Sequence, residues 1–273
     1  MTDKTTSEDV YTQEVGDLYD EADISINPVS RDLLLDLAQQ NGATKGSLVI
    51  DIGCANGGLS RKLLAKTSAK IEGVELLSFL VDMGIKENKE LGVDSEKFNI
   101  TQGSIEDIPF PDNTFDFVFC IDVLGLAEGL DTSIKECARV LKPNCKALFY
   151  TSGFRTNRLS KDEAKILDAL GNGLDETLTA QQVQEALSKY FKVTDKKVIG
   201  SQFTQYDTEH QKEQSQASKD LLKVARLLTN PDKYKEKYDE KVYKIVLAEA
   251  MWSPYILLGK LEPTIFIVEK SGL

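Results

Sequence analysis

The stretch VIDIGCANGG at residues 49–58 is the most informative part of this 273-residue sequence. It begins within the apolar run Leu48–Ile50, which is typical of a strand that is buried on both faces of a parallel sheet. The glycines that follow predict a tight turn, at which a ligand can approach the backbone beside the positive end of the next helix. The stretch therefore predicts a strand, a ligand-binding turn and a helix.

Strands and helices alternate along the chain up to about residue 200. The predicted strands are 47–52, 70–75, 98–102, 115–121, 146–151, 191–199 and, at the end of the chain, 264–268. Helices are predicted to begin near residues 28, 57, 78, 134, 160 and 179, and Pro143 is expected to end the fourth of them. Such alternation implies βαβ units and hence an α/β fold with a largely parallel sheet.

The pattern changes at residues 205–260, before the final strand. Two helical apolar faces, 221–228 and 242–252, are separated by the turn signal Asn230-Pro231, and Pro254 is expected to interrupt or kink the second. We therefore predict a helical insertion here.

Composition excludes several classes of protein. Acidic residues outnumber basic ones, 44 against 33, so the formal net charge is −11 at pH 7. Proteins that bind DNA or RNA constitutively draw most of their affinity from an excess of basic groups, so no nucleic-acid partner is expected. The 41% apolar and 28% charged content is that of a soluble globular protein.

The cysteines and the N-terminus bear on the compartment. The four cysteines show no C-x-x-C spacing and His210 is the only histidine, so no metal site is predicted and a reducing compartment is favoured. Residues 1–23 lack the apolar core of a signal peptide, and no uncharged apolar run approaches the roughly 20 residues of a membrane span. We therefore expect a cytoplasmic protein without a membrane span.

Asp51 constrains the ligand of the predicted turn. It precedes the first glycine, Gly53, by two residues, points toward the ligand and would repel a pyrophosphate. The spacing matches neither G-x-G-x-x-G nor G-x-x-x-x-G-K-[ST], so the dinucleotide fingerprint and the Walker loop are not matched. An acidic residue suits a cationic ligand, and S-adenosylmethionine carries an ammonium and a sulfonium group but no phosphate.

A second acidic residue, Glu75, ends the second predicted strand. An acid at a strand end is more often a solvated cap, but a carboxylate at this position can also accept hydrogen bonds from both ribose hydroxyls. Together with the first motif, Glu75 is interpreted as a ribose ligand.

Four segments in order resemble the class I S-adenosylmethionine-dependent methyltransferases, especially the small-molecule branch that includes the ubiquinone/menaquinone-biosynthesis and sterol C-methyltransferases. The segments are VIDIGCANG at 49–57, GVE at 73–75, QGSIEDIPFPDNTFD at 102–116 and ARVLKP at 138–143. The resemblance is close over roughly residues 45–152. It implies a Rossmann-like, seven-stranded, mostly parallel sheet flanked by helices, with the last strand antiparallel and a helical insertion before it.

The chain is accordingly predicted to consist of four parts. They are an N-terminal lid segment at 1–26, a cofactor-binding Rossmann-like domain at 27–204, the helical insertion covering the acceptor site at 205–260, and the final strand of the sheet at 261–273.

The resemblance also implies which residues bind the cofactor, S-adenosylmethionine. Five residues would line the methionine and ribose portion: Asp51, Gly53, Cys54, Ala55 and Asn56. Glu75 would hold the ribose, and the adenine would be contacted by Leu76, Ser104 and Ile105. Cys120 and Asp122 would face the methyl donor.

Three positions depart from the pattern of the family. Ala55 stands where a second glycine is usual, Ser104 replaces the commoner aspartate, and Gly125-Leu126 occupies a stretch where many relatives have histidine.

The predicted reaction is an in-line displacement at the sulfonium, which transfers the methyl group to a small-molecule acceptor and leaves S-adenosylhomocysteine. No catalytic residue is assigned. The candidates for a base are His210, Glu128 and Asp122. Tyr11 and Tyr19 are candidates for a lid, and Trp252 and Tyr255 for walls of the acceptor site. Each of these residues could instead have only a structural role, in packing or at the solvated surface.

Alternative functions remain open on the sequence alone. Ala55 and the missing histidine leave room for a catalytically silent S-adenosylmethionine-binding module or partner subunit. Methylation of a protein or RNA is disfavoured by the acidic balance, and a dehydrogenase would require binding of a nicotinamide cofactor instead. The sequence predicts no particular oligomeric state.

Overall fold

The computed structural model describes residues 12, 14, 31–170, 178–199 and 216–271 of the chain. The predicted start of the first helix at Asn27-Pro28, both lid tyrosines, Tyr11 and Tyr19, and the candidate base His210 lie outside these residues.

Strands and helices alternate through the described part of the chain. The strands are β1 (Leu48–Ile52), β2 (Lys70–Glu75), β3 (Phe98–Gln102), β4 (Phe115–Ile121), β5 (Leu141–Arg155), β6 (Phe191–Val198) and β7 (Leu261–Lys270). The α-helices are α1 (Arg31–Asn41), α2 (Gly58–Thr67), α3 (Ser78–Glu90), α4 (Leu130–Val140), α5 (Lys161–Leu167), α6 (Ala180–Tyr190), α7 (Gln216–Thr229), α8 (Pro231–Tyr238) and α9 (Glu240–Leu257).

The seven strands form one sheet in the order β3-β2-β1-β4-β5-β7-β6. The pairs β1–β2, β2–β3, β1–β4 and β4–β5 are parallel, and β7 is antiparallel to its neighbours. The predicted Rossmann-like sheet with an antiparallel last strand is therefore confirmed. The strand order reverses between β1 and β4, and ligands of open α/β sheets bind at such a switch point, beyond the carboxyl ends of the strands.

The two strands at the switch point are the most deeply buried. Val49 and Ile50 of β1 and Phe117, Val118 and Phe119 of β4 expose none of their surface. Both faces of these strands are covered, which explains why the apolar run in β1 does not alternate with polar residues. Each such side chain contributes roughly 1.5 to 3 kcal/mol of burial energy, so the carboxyl ends of β1 and β4 form a rigid base for the loops that follow them.

Several element boundaries differ from the prediction. The fourth helix ends at Val140, before Pro143, and β5 begins at Leu141, because Leu141 is fully buried and pairs with Phe115 at an irregularity in the β4–β5 ladder. Helix α8 was not predicted because its sequence, PDKYKEKY, has no apolar stripe and buries only Tyr234.

The predicted helix start near residue 160 is found, whereas the predicted interruption at Pro254 is not. Ser160 and Glu163 form a capping box at the start of α5. Pro254 lies inside α9, close to its end at Leu257, so it does not interrupt the helix. Near the end of a helix the loss of one backbone hydrogen bond to proline is tolerated more easily than at its centre.

The chain divides into two compact units. Among the described residues, the sheet unit contains 31–151, 180–197 and 265–271, with β1 to β4, α1 to α4 and α6. Among the described residues, the helical unit contains 152–170, 178–179, 198–199 and 216–264, with α5 and α7 to α9.

Helix α9 is the most buried element of the helical unit. Its Tyr243 hydroxyl donates to the carbonyl of Leu227 on α7 at 3.2 Å, and Trp252 donates its indole N–H to the carbonyl of Ser152 at 3.2 Å. None of the helices in the described ranges is both long and apolar enough to cross a lipid bilayer.

Candidate active site

The turn after β1 adopts left-handed backbone angles at three positions. Gly53 has φ = 69°, Ala55 has φ = 49° and Gly57 has φ = 79°. A Cβ at Gly53 would lie 2.3 Å from Cγ2 of Val123, in the loop after β4, so the close approach of the two loops requires glycine there. Ala55, where relatives usually have glycine, adopts the left-handed conformation at some cost in strain. The turn predicted from the sequence therefore forms.

The turn is held against β2 by backbone and side-chain hydrogen bonds. The carbonyl of Val74 accepts the N–H groups of Gly53 at 2.8 Å and of Cys54 at 3.1 Å. The carboxylate of Glu75 accepts the N–H of Ala55 at 3.0 Å with one oxygen and that of Leu77 at 2.9 Å with the other. Glu75 thus fixes the turn after β1 and the backbone after β2, a role that the sequence did not indicate.

Asp51 is buried directly beneath this turn. Its side chain is 3% exposed, and Oδ2 accepts a hydrogen bond from the Ser60 hydroxyl on α2 at 2.5 Å. Burial is the main cause that raises the pKa of Asp51 to about 7, with a smaller contribution from the negative charge of Glu75, whereas the Ser60 hydrogen bond lowers it. A carboxyl group with this pKa changes its charge near neutral pH.

Four polar side chains lock the middle of the turn. The amide of Asn56 donates to both carboxylate oxygens of Glu87 on α3, at 3.1 and 3.2 Å. Arg61 on α2 pairs with Glu87 and donates to the carbonyl of Asn56 and to Oδ1 of Asn88, each at 2.9 Å. Asn56 therefore acts as a structural anchor of the turn, through partners that the sequence analysis did not single out.

The loop after β3 is closed by hydrogen bonds around Glu106. Its carboxylate accepts from the Ser104 hydroxyl and, at 2.9 Å, from the N–H of Glu128. Burial raises the pKa of Glu106, but the Ser104 hydroxyl and three backbone N–H groups together hold it below its usual range, so the group is a carboxylate at neutral pH. Ile105 is buried beside it, and Glu128 is exposed. The Ser104 hydroxyl is thus engaged inside its own loop.

Arg139 on α4 explains the fourth sequence motif. Its guanidinium donates to the carbonyls of Ile108 at 2.9 Å and Phe110 at 2.8 Å, and to the carboxylates of Glu136 and Asp112. The two motifs at 102–116 and 138–143 therefore form one structural unit, in which α4 fixes the loop after β3.

The carboxyl end of β4 carries Cys120 and Asp122. Cys120 is 1% exposed, and burial raises the pKa of its thiol, so it stays protonated. Asp122 is held at φ = 58° by its N–H bond of 2.9 Å to the carbonyl of Tyr150 on β5. The Tyr150 hydroxyl is buried without a hydrogen-bond partner among the described residues, and burial, followed by the charge of Asp122, raises its pKa.

The sheet unit brings the predicted site residues to one edge. The turn after β1, Glu75 and Leu76 at the end of β2, the loop after β3, and Cys120 with Asp122 at the end of β4 follow the carboxyl ends of four adjacent parallel strands. Leu76 is 57% exposed there. Contacts of these residues with a cofactor stay predictions.

The two aromatic residues predicted as walls of an acceptor site lie in the helical unit. The ring of Trp252 packs over Gly153, where an added Cβ would lie 2.2 Å from Cζ2. The hydroxyl of Tyr255 is buried without a partner in the described residues, and burial raises its pKa to about 12. The packing role of Trp252 is thus visible, whereas a role toward an acceptor stays a prediction.

Comparison with known proteins supports the resemblance inferred from the motifs. Residues 50–149 match the sequence family described as a methyltransferase domain. A sterol 24-C-methyltransferase of Gibberella zeae is 38% identical over 108 residues, which are 39% of this chain and 28% of that protein. The predicted resemblance to sterol-type class I methyltransferases is therefore confirmed over the central part of the chain.

Solved structures extend the likeness in fold to almost the whole chain. The [4+2]-cyclase SpnF superposes with a TM-score of 0.71 and 17% identity, covering 97% of this chain and 96% of that one. Phosphoethanolamine N-methyltransferase 2 of Haemonchus contortus, in complex with S-adenosyl-L-methionine, gives a TM-score of 0.69 and 18% identity, covering 99% of this chain and 58% of that one. The matched part spans less than half the length of the curated relatives.

Proposed function

We propose that this protein is an S-adenosylmethionine-dependent methyltransferase that acts on a small-molecule acceptor, in specialised metabolism. The observation that carries the proposal is the pair of carboxylates, Asp51 and Glu75, at the carboxyl ends of β1 and β2 around the left-handed turn. The methyltransferase-domain match over residues 50–149 and the sterol methyltransferase relative support it.

The charges of this edge fit a cationic cofactor. Asp51 and Glu75 are 3% and 7% exposed, and the negative charge of Glu75 disfavours ionisation of Asp51. A ligand with an ammonium and a sulfonium group would offset this repulsion, whereas a phosphate would add to it. The residues present therefore fit S-adenosylmethionine and do not fit a dinucleotide, which argues against the dehydrogenase alternative.

The proposal assigns each residue a task that its environment allows. Asp51 would attract the cationic methionine portion, and each Glu75 oxygen retains a free lone pair with which it could accept a ribose hydroxyl. Leu76, exposed beside Glu75, and buried Ile105 would contact the adenine. Ser104, whose hydroxyl is bonded to Glu106, would contribute its backbone.

S-adenosylmethionine supplies an electrophilic methyl group, so the protein's task is to hold the acceptor in line and to exclude water. The thiols of Cys54 and Cys120 are unsuited as nucleophiles, because burial raises the pKa of both and keeps them protonated. Asp122, directly after β4, is the candidate base in the sheet unit.

The net charge and the cysteines support the remaining parts of the proposal. A charge of −11 disfavours nucleic acid as the acceptor. All four cysteines are free thiols, which fits a reducing compartment, and we place the protein in the cytoplasm on this ground.

Calorimetric titration of the purified protein with S-adenosylmethionine tests the proposal. We expect saturable binding that weakens at least tenfold in Asp51→Asn and in Glu75→Gln, because each change removes a negative charge and Glu75→Gln also loosens the turn. Exposed Asp162→Asn in the helical unit serves as the control and should bind as the wild type does. Unaltered binding in both site variants would contradict the proposal.

A cofactor-binding protein without methyl transfer is the second candidate. It is favoured by the fold neighbour SpnF, which is named a [4+2]-cyclase, and by Ala55 and Gly125-Leu126, which depart from the pattern of the family. Incubation with methyl-labelled S-adenosylmethionine and a metabolite extract separates the two candidates. Release of S-adenosylhomocysteine above the protein-free rate supports methyl transfer, and tight binding without release supports the silent module.

A further inference from the structure

A serine that contacts the candidate cofactor site, Ser60, is fully buried and bonded to a carboxylate. Ser60, in the first turn of α2, exposes none of its surface, and its Oγ lies 2.5 Å from Oδ2 of Asp51. A serine hydroxyl that faces an ionised carboxylate can only donate, and such charge-assisted bonds are short and strong. The Ser60 bond therefore favours the charged form of Asp51.

Of the other titratable groups that face Asp51, the carboxylate of Glu75 on β2 works in the opposite direction. The thiols of Cys54 after β1 and Cys120 on β4 stay protonated because burial raises the pKa of both, so neither contributes a positive charge. Burial also disfavours ionisation. In the described environment of Asp51, Ser60 is thus the side chain that stabilises the carboxylate.

We propose that Ser60 is a positioning residue for cofactor binding: its hydroxyl holds Asp51 in the ionised form and orientation that a cationic ligand requires. This inference rests on the function proposed above. Ser60 does not need to touch the ligand, because it acts through Asp51. It differs from Asp51 and Glu75 in that its removal leaves both carboxyl groups of the site in place.

The role predicts a pH-dependent defect. The wild-type pKa of Asp51 is about 7, and loss of the hydrogen bond that lowers it must raise it further. At a pH below the wild-type pKa of Asp51, Ser60→Ala then has a much smaller ionised fraction of Asp51 than the wild type. At a pH well above the pKa of Asp51 in both proteins, Asp51 is equally ionised in the two. A purely structural loss would weaken binding by the same factor at every pH.

The experiment is a calorimetric titration of the full chain with S-adenosylmethionine, from about pH 6 to about pH 9. The quantity compared is the ratio of dissociation constants, Ser60→Ala over wild type, in which titration of the ligand's own amino group cancels. We expect a ratio of about five to ten at pH 6 that falls to within about twofold of one at pH 9. Ser60→Cys, which replaces the hydroxyl with a larger group that is a weaker donor, should give a ratio between that of Ser60→Ala and one.

Two controls distinguish the proposal from loss of folding or of any buried serine. Ser133 is equally buried, but its hydroxyl donates to the carbonyl of Gly129 at 2.8 Å and touches no carboxylate, so the ratio for Ser133→Ala should not vary with pH. In an Asp51→Asn background, adding Ser60→Ala should give a pH-independent ratio. Folding of each variant is checked by thermal denaturation without ligand.

The outcomes are distinguishable. Two results would overturn the role of Ser60 while leaving cofactor binding intact. One is a ratio for Ser60→Ala that does not change with pH. The other is a ratio that still changes with pH when Asp51 is replaced by asparagine. Absence of binding by the wild-type protein at every pH would instead overturn the proposed function.

Discussion

Tyr150 shows what a buried polar atom without a partner costs the free protein. Its hydroxyl, on β5, has no hydrogen-bond partner in the described chain and is fully buried. Leaving such a group unsatisfied costs about 1 to 3 kcal/mol, and removing it relieves the cost. We expect Tyr150→Phe to leave the free energy of unfolding unchanged or to raise it by about 1 kcal/mol, as measured by urea denaturation without ligand.

Tyr243 provides a matched control for this prediction. It is also buried, but its hydroxyl donates to the carbonyl of Leu227, so Tyr243→Phe removes a hydrogen bond and should lower the free energy of unfolding by about 1 kcal/mol. If both substitutions destabilised the protein equally, the Tyr150 hydroxyl would have to have a partner.

The sequence predicted the site at residue scale only where chemistry and spacing coincide. Asp51 and Glu75 could be assigned because an acid beside a glycine turn excludes most nucleotides. The Ser60–Asp51 and Glu75–Ala55 bonds could not be predicted, because side-chain orientation depends on how α2 packs on β1 and how the turn bends toward β2.

At the scale of elements, Arg139 joins α4 to the loop after β3. Its guanidinium is 28% exposed and bonds two loop carbonyls and two carboxylates at once. We expect Arg139→Lys to lower the free energy of unfolding by about 2 kcal/mol, because an ammonium keeps the charge but cannot reach all four acceptors. Chemical denaturation of the wild type and the variant measures the difference.

Asp112 separates the loop bonds from the ion pair. Its side chain is 68% exposed, so its pairing with Arg139 is screened by solvent, and Asp112→Asn should change stability by less than about 0.5 kcal/mol. An equal effect of the two substitutions would show that the ion pair, rather than the bonds to the loop carbonyls, holds the loop.

Element boundaries were predictable where burial changes abruptly. β2 and β4 have the predicted bounds because apolar runs end at polar residues. β5 extends over 15 residues, from Leu141 to Arg155, although only 146–151 was predicted, because Leu141 and Phe154 beyond the predicted run are also buried and Leu141 pairs with Phe115. Helix α8 shows the reverse case, since its polar sequence PDKYKEKY carries no periodic signal.

At the scale of the whole molecule, the fold class followed from the alternation of strands and helices, but the division into units did not. The helical unit combines α5, which precedes β6, with α7 to α9, which follow it, so it is not continuous in sequence. Periodicity describes local segments and carries no information about such long-range association. The insertion at 205–260 was therefore predicted as a segment rather than as part of a larger unit.

The net charge of −11 extends the local argument about Asp51 and Glu75 to the whole protein. S-adenosylmethionine, with an ammonium, a sulfonium and a carboxylate, has a net charge of +1, whereas S-adenosylhomocysteine, which lacks the sulfonium charge, is neutral overall. The negative field of the protein should therefore attract S-adenosylmethionine, but not S-adenosylhomocysteine, before the ligand makes contact. Salt screens this attraction, because the Debye length falls from about 10 Å at 0.1 M to about 3 Å at 1 M. We expect an increase in NaCl from about 0.05 to about 0.5 M to weaken binding of S-adenosylmethionine about two- to fivefold and to leave that of S-adenosylhomocysteine within about 1.5-fold, measured by titration of the same protein preparation. Equal salt dependence for the two ligands would mean that the surface charge does not act on the site, and the preference for a cation would then have to arise from the buried carboxylates alone.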